Sequence, residues 1–456
     1  MDKIGMVRSY KAKSKEVKLM RGFRKILIGV VATLAVVGFS LSGYAGEEDI
    51  KEIKKQIQVL TEEMEKLKLG AVAEPKYESF MGLGPAASKV YGIDKGLSLG
   101  GYGEIFYSNY QDPTKKDLAD TSRFILYGGY KFNEWILMNT ELEFEHAGIG
   151  NAQSKEPEVY TEFSYLDFLL SKPFNLRAGL MLMPVGLINE FHEPTVYHGV
   201  LRPEIETNII PTTWRELGIM VYGEPIENLT YKIALINGLR ADKFSNSTWI
   251  RSSRQQGAKV NADVGAVVAN INYKVVHGLL VGGSYYRGEG STGKGGDIDA
   301  ITDKEAKVSL YEVHADFRYE GLELRGLYVA GKVDNENDAF KNDATLKKVG
   351  KKVDGWYLQT AYDILPLIRP GTEMGLSPFV RYEQYDTNKE VISGATDPTL
   401  DRTITTFGFG FKPHPNVVIK ADYQWKDTES AKPEGTATGQ DSNKIDQFNI
   451  GIGFIF

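Results

Sequence analysis

The sequence predicts an all-β chain, a transmembrane antiparallel up-and-down β-barrel of about 16 strands with a short N-terminal helical coiled-coil segment. Three observations lead there. An apolar alternation of period two starts at Leu97 and runs to Phe456. The connections between its stretches are alternately long and short. The final stretch places Phe448, Ile450, Ile452, Phe454 and Phe456 in strict register. Composition agrees, with 48 Gly, 25 Tyr and 21 Phe against 17 Pro in 456 residues, because aromatic side chains suit pleated surfaces and glycine suits turns.

Residues 1–45 have the form of a signal peptide. Arg21, Arg24 and Lys25 precede an apolar run over 26–41, and Gly43-Tyr44-Ala45 offers small residues for cleavage after Ala45. Gly38 and Ser40 interrupt that run, which argues against a transmembrane anchor. The long basic leader leaves Met1 and Met20 both open as the start.

Residues 46–70 follow as a coiled-coil helix, with Ile50, Ile53, Ile57, Leu60, Met64 and Leu67 three and four residues apart. Isoleucine at both core positions of the first heptad shifts preference from dimers towards higher oligomers, trimers included, and Asp49 with Lys54, and Glu63 with Lys68, occupy flanking charged positions. A single amphipathic helix lying against its own barrel is the alternative. A linker over 71–96, containing Pro75, Gly82, Gly84 and Pro85, separates the helix from the barrel at 97–456. No later segment offers about twenty uninterrupted apolar residues, so a membrane crossing has to use a closed barrel, in which every backbone group is paired.

Ascending strands are expected near 97–109, 134–146, 174–184, 228–238, 278–288, 321–332, 376–386 and 416–427. Descending strands are expected near 121–132, 157–170, 213–223, 261–273, 306–319, 354–364, 403–412 and 446–456. Long polar connections such as 111–119, 289–304, 334–353 and 426–444 would lie outside the cell, and short ones such as 131–134 in the periplasm. The spacing also has room for eighteen strands.

A charge facing lipid near the bilayer midplane costs about 2–4 kcal/mol, so charged positions are assigned to the lumen. In the third strand Ile136, Met138, Thr140, Leu142 and Phe144 face lipid while Asn139, Glu141, Glu143 and Glu145 face water. In the tenth, Glu312, His314, Asp316 and Arg318 point inward, and in the fifteenth Lys420, Asp422, Gln424 and Lys426 do. Tyr107, Trp135, Trp356 and Trp425 suit an interfacial girdle. The expected lumen is mixed, with Glu141, Glu143, Glu145, Glu162, Glu312 and Asp316 beside Arg123, Arg177, Arg318, Arg325, Arg381 and Lys420. Acidic rings favour cations and basic rings favour anions, so a transverse field is one arrangement; charges that merely hydrate the wall are the other.

The third external loop, 184–212, is apolar for an exposed loop, with Val185, Ile188, Val200, Ile209 and Ile210 among Asn189, Glu190, His192, Glu193 and Arg202. It is expected to fold against the inner wall and narrow the channel. A cap at the barrel mouth or a trimer contact is the alternative.

Gly179-Leu180-Met181-Leu182-Met183-Pro184-Val185-Gly186, Asn189-Glu190, His192-Glu193-Pro194, Arg202-Pro203 and Ile210-Pro211-Thr212-Thr213-Trp214 resemble the phosphate-selective porin O and P family, as do Gly100–Glu104 and Glu141–Ala147. The resemblance covers roughly residues 90–456 and implies a sixteen-stranded homotrimeric porin. Phosphate-specific members carry a dense ladder of arginines and lysines along the pore, which this sequence does not show. The terminal strand ending at Phe456 resembles the recognition signal read by the barrel-assembly machinery.

The expected function is a water-filled channel in the outer membrane of a Gram-negative-type bacterium, passing small hydrophilic or ionic solutes, with phosphate or other anions included. The helix would lie in the periplasm. The alternatives are a structural anchor tethering the envelope through that helix and, further off, a barrel hydrolase. Expected partners are outer-membrane lipid, two further copies in a homotrimer, the assembly machinery, and the solutes. Nucleic acid is excluded, since the 54 basic residues are scattered and the net charge is −6. The absence of cysteine rules out disulfides and thiolate sites. The histidines at 146, 192, 198, 277, 314 and 414 form no nucleophile or zinc motif, so no catalytic residue, metal or cofactor is expected.

Overall fold

The computed structural model describes Lys55 and residues 79–112, 115–147, 158–291, 306–334, 341–429 and 445–456. The expected signal peptide, the coiled-coil helix apart from Lys55, and residues 71–78 of the linker lie outside the described residues. Among the described residues no helix is long and apolar enough to cross a membrane.

Period-two patterning does become strands. They are β1 (Gly96–Tyr110), β2 (Leu118–Lys131), β3 (Ile136–Glu145), β4 (Glu158–Ser171), β5 (Phe174–Leu182), β6 (Arg215–Ile226), β7 (Leu229–Asn237) and β8 (Gly265–Val276). The second half comprises β9 (Leu279–Ser291), β10 (Ala306–Tyr319), β11 (Leu322–Asp334), β12 (Gly350–Tyr362), β13 (Gly375–Val391), β14 (Asp401–His414), β15 (Val417–Thr428) and β16 (Gln447–Ile455). One sheet of seventeen strands holds them all, and setting aside the two-residue piece Leu239–Arg240, which runs parallel to the end of β9, leaves sixteen. Each pairs antiparallel with its sequence neighbour, and β1 also pairs with β16, placing Tyr102 opposite both Ile125 and Ile455. The sheet is therefore closed and has no free edge.

Short connections match the twist of the strands they join. At Glu320-Gly321 both residues have positive φ, 46° and 85°, the two-residue hairpin geometry whose twist agrees with that of the flanking strands. The faces fall as charge cost requires. On β3, Glu141 is 0 % exposed and Leu142 42 %; on β10, Glu312 is buried between the exposed Tyr311 and Val313. Phe448, Ile450, Ile452 and Phe456 face outward, and the Phe456 backbone exchanges two 2.9 Å hydrogen bonds with Gly101.

The inside of the barrel is partly filled. Residues 79–95, read from the sequence as the end of a linker, pack on the inner wall with Leu83, Ala86, Ala87 and Val90 buried. Phe80 stacks on Tyr91 at 3.8 Å, the Tyr91 hydroxyl donates to Asp167 of β4 at 2.6 Å, and Asn139 of β3 donates to the Ala87 carbonyl at 2.9 Å.

Candidate functional site

The loop between β5 and β6 crosses the lumen. Its two ends are clamped by Asn189, whose amide nitrogen donates to the carbonyls of Met183 at 2.7 Å and Trp214 at 3.0 Å while its oxygen accepts the Trp214 N–H at 2.7 Å. Val185, Ile188, Ile205, Ile209 and Ile210 are buried beneath it, which is how so apolar a loop escapes water. Its far side is tied to strands about half the barrel away. Glu206 accepts from Leu187 and Ile188 N–H, both at 2.8 Å, and from the Tyr357 hydroxyl of β12 at 2.7 Å. Tyr385 of β13 and Lys426 of β15 each donate to Glu204 at 2.6 Å, Asp422 accepts Val200 N–H at 2.5 Å, and Lys420 donates to the Gly199 carbonyl at 2.9 Å. Although burial opposes ionisation of Glu204, Lys426 and Arg402 together with these hydrogen bonds hold its pKa at about 2.

Of the charged residues assigned to the lumen, some hold the protein to itself. Arg177 is 3 % exposed, forks onto Asp167 at 3.2 and 2.9 Å, donates to the Tyr91 hydroxyl at 3.0 Å and lies 4.1 Å from the Tyr165 ring centroid. The segment 79–95 thus closes it off from open space. Arg381 is buried against Glu383 at 2.8 Å and reaches the His198 carbonyl at 3.4 Å. Arg318 and Arg325 flank Asp316, each at 3.1 Å. Glu145 is half-buried at the end of β3.

In the loop, Glu190 pairs with Lys232 of β7. Glu193 accepts the backbone N–H groups of Ala86 and Ala87, both at 3.0 Å, latching the loop to the N-terminal segment. Gly84 makes room for this, since a Cβ there would collide with the Glu193 carboxylate. Burial pushes Glu193 up to about 7 despite its two N–H donors. His192 donates from Nδ1 to the Asn189 carbonyl at 2.9 Å, and its Nε2 stands 3.6 Å from Glu141.

Arg123, Arg202 and Lys420 come together around a cavity of about 410 Å³, where the structure adds Glu104, Glu204, Arg251 and Arg402. Five cations and two carboxylates give that wall a formal charge of +3. Arg123 pairs with Glu104 at 3.2 Å and with Glu143 at 3.9 Å, and Arg402 with Glu204 at 3.6 Å. Among the described residues Arg202, Arg251 and Lys420 have no carboxylate oxygen within 4.0 Å; Lys420 instead stands 3.8 Å over the Tyr197 ring. Burial, then the nearby Arg202 and Arg123, depress the pKa of Arg251, as crowding of like charge does.

Arg251 comes from the loop after β7, whose inward fold the sequence reading misses. Trp249 of that loop is buried and donates from Nε1 to the Gly350 carbonyl at 3.0 Å. Phe244, Trp249 and Ile250, large apolar residues in a long connection rich in polar ones, are the signal that was available.

No family model matches the chain. An uncharacterized protein of Aquifex aeolicus (strain VF5) is 38 % identical over 381 residues, covering 80 % of this chain and 84 % of that protein. The chain belongs to the family of that protein. Among solved structures, OmpF of Salmonella typhi, in complex with daunomycin, aligns with a TM-score of 0.53 at 14 % identity, over 79 % of this chain and 98 % of that one. The outer membrane channel DcaP of Acinetobacter baumannii aligns with a TM-score of 0.52 at 12 % identity, over 79 % and 97 %. These likenesses establish the fold, a sixteen-stranded barrel of the outer-membrane porin type.

Proposed function

We propose that this chain is an outer-membrane porin, a water-filled channel for passive diffusion of small hydrophilic and ionic solutes, in which small anions such as phosphate are favoured at the cavity beside the crossing loop. The observation that carries this reading is the wall of that cavity, where Arg202, Arg251 and Lys420 stand without a carboxylate partner among the described residues inside a closed barrel. Unpaired cations between low-dielectric walls concentrate anions and speed their entry. The arrangement is a cluster and not a ladder, so it supports a preference for anions within a mixed lumen that includes Glu145, Arg123 and Arg318, while Glu141, Glu143 and Arg325 are buried in the wall. The resemblance to the phosphate-selective porin O and P family supports the same reading and extends it to a homotrimer in the outer membrane, inserted through the terminal strand ending at Phe456.

Purified protein reconstituted in planar bilayers tests the channel, with stepwise ohmic conductance the expected result. Protein that is folded, as judged by heat-modifiable migration, yet gives no steps and no solute-driven liposome swelling would overturn it. Cross-linking of the membrane-embedded protein tests the trimer, and N-terminal sequencing of the mature chain tests cleavage after Ala45.

A further inference from the structure

Glu141 of β3, Glu162 of β4 and His192 of the crossing loop meet inside the barrel, with ligand-capable atoms all within 4.8 Å of one another. They are 0 %, 0 % and 2 % exposed. Both oxygens of each carboxylate, and Nε2 of the histidine, lack a hydrogen-bond partner. Buried polar atoms in such numbers without partners call for something to bind them.

The histidine says what. Its Nδ1 faces the Asn189 carbonyl at 2.9 Å, and a carbonyl only accepts, so the ring proton is on Nδ1. Nε2 then presents a lone pair to a Glu141 oxygen 3.6 Å away, one acceptor against another. Two acceptors held face to face are stable only with a positive centre between them. Arg215 lies 3.9 Å from Glu162, outside hydrogen-bond range, Arg202 reaches the His192 backbone carbonyl at 3.4 Å, and Arg123 pairs with Glu104 and Glu143.

We infer that Glu141, Glu162 and His192 bind a divalent transition-metal cation of the zinc or manganese class, which fastens the crossing loop to the barrel wall. The 3.6 Å separation of Nε2 and the Glu141 oxygen is close to the roughly 3.4 Å edge of a tetrahedron with bonds of about 2.1 Å. An imidazole with two carboxylates suits such a metal better than calcium or magnesium, which prefer all-oxygen shells. The Asn189 carbonyl acts as the outer partner that fixes the tautomer and ring orientation, as partners of metal-bound histidines generally do. The site draws on three separate segments, so the lack of a zinc motif among the histidines of the sequence has no bearing on it. It stands whatever solute crosses the barrel.

The test uses full-length protein refolded from denaturant with and without metal and then freed of excess ion. Co²⁺ titration of the metal-free protein, followed by visible absorption, and Zn²⁺ titration by calorimetry are run on the wild type, His192→Ala and Glu162→Gln. The expected result is one equivalent per chain and an affinity at least tenfold weaker in each variant, with heat-modifiable migration unchanged. A wild-type barrel that binds neither ion, or variants that bind as tightly as the wild type, would overturn the inference, leaving a shared proton as what joins these groups.

Discussion

Replacing Glu193 by alanine should release the N-terminal segment from the crossing loop. The carboxylate accepts two buried N–H groups, those of Ala86 and Ala87, which make no other hydrogen bond among the described residues. A buried donor left unpaired costs about 1–3 kcal/mol, and water entering the vacated space recovers part of the loss, so a total of about 2 kcal/mol is reasonable. At about 1.4 kcal/mol per factor of ten, opening of the segment should become roughly 30-fold more frequent. Hydrogen exchange read by mass spectrometry in detergent at pH 6 measures this directly. Peptides covering 79–95 should exchange roughly 30-fold faster, while β10 to β14 are unchanged. Glu193→Gln, which keeps one acceptor, should lie between the two. Exchange of 79–95 within twofold of wild type, or equal loosening of the whole barrel, would refute the latch.

Other perturbations have equally definite outcomes. The Glu204 carboxyl is depressed from 4.5 to about 2, so its contribution is present above pH 4.5 and lost as the pH falls towards 2. It amounts to at most about 3 kcal/mol, and about 2 after solvent screening of a side chain 24 % exposed. The urea midpoint should drop over that window in the wild type and stay flatter in Glu204→Gln. Glu193 acts in the opposite sense. Its pKa is raised to about 7, so the folded state holds the extra proton between pH 4.5 and 7 and docking of the segment weakens as pH rises through that window; intrinsic-rate-corrected exchange of 79–95 should rise accordingly and lose that dependence in Glu193→Ala. Asp167→Asn leaves Arg177 buried without its counter-ion and should cost about 3–5 kcal/mol in urea unfolding, more than the double change Asp167→Leu with Arg177→Met.

Most of the wall was legible in the sequence because lipid outside and water inside impose opposite demands on alternate residues. All sixteen expected strands overlap observed ones, and the largest extension, β13 continuing to Val391, lies where the barrel rises beyond the expected 386. The inward fold of the third loop was legible from Val185, Ile188, Ile209 and Ile210. The plug formed by 79–95 was not: Leu83, Ala86, Ala87 and Val90 stand three and four residues apart, but four apolar residues among glycine and proline do not show that the segment is packed inside a barrel, and their burial comes from tertiary contacts with the wall and the crossing loop. Pairing was also out of reach. Arg177 and Arg123 carry the same charge on inward positions, yet one is enclosed by Tyr91 and Tyr165 and the other borders the cavity, a difference set by the segments folded inside and not by the strands. Likewise His192 gains Glu141 and Glu162 as neighbours only because the loop crosses to β3 and β4.

The central claim is that the cavity cations without a carboxylate partner among the described residues govern which ions pass. The reversal potential in a KCl gradient tests it most directly, comparing the wild type with Arg202→Gln/Arg251→Gln, a change that takes the cavity wall from +3 to +1. The wild type should prefer chloride, and the double variant should shift clearly towards potassium with its conductance steps retained. A cation-preferring wild type, or a reversal potential that does not move in the variant, would contradict the account.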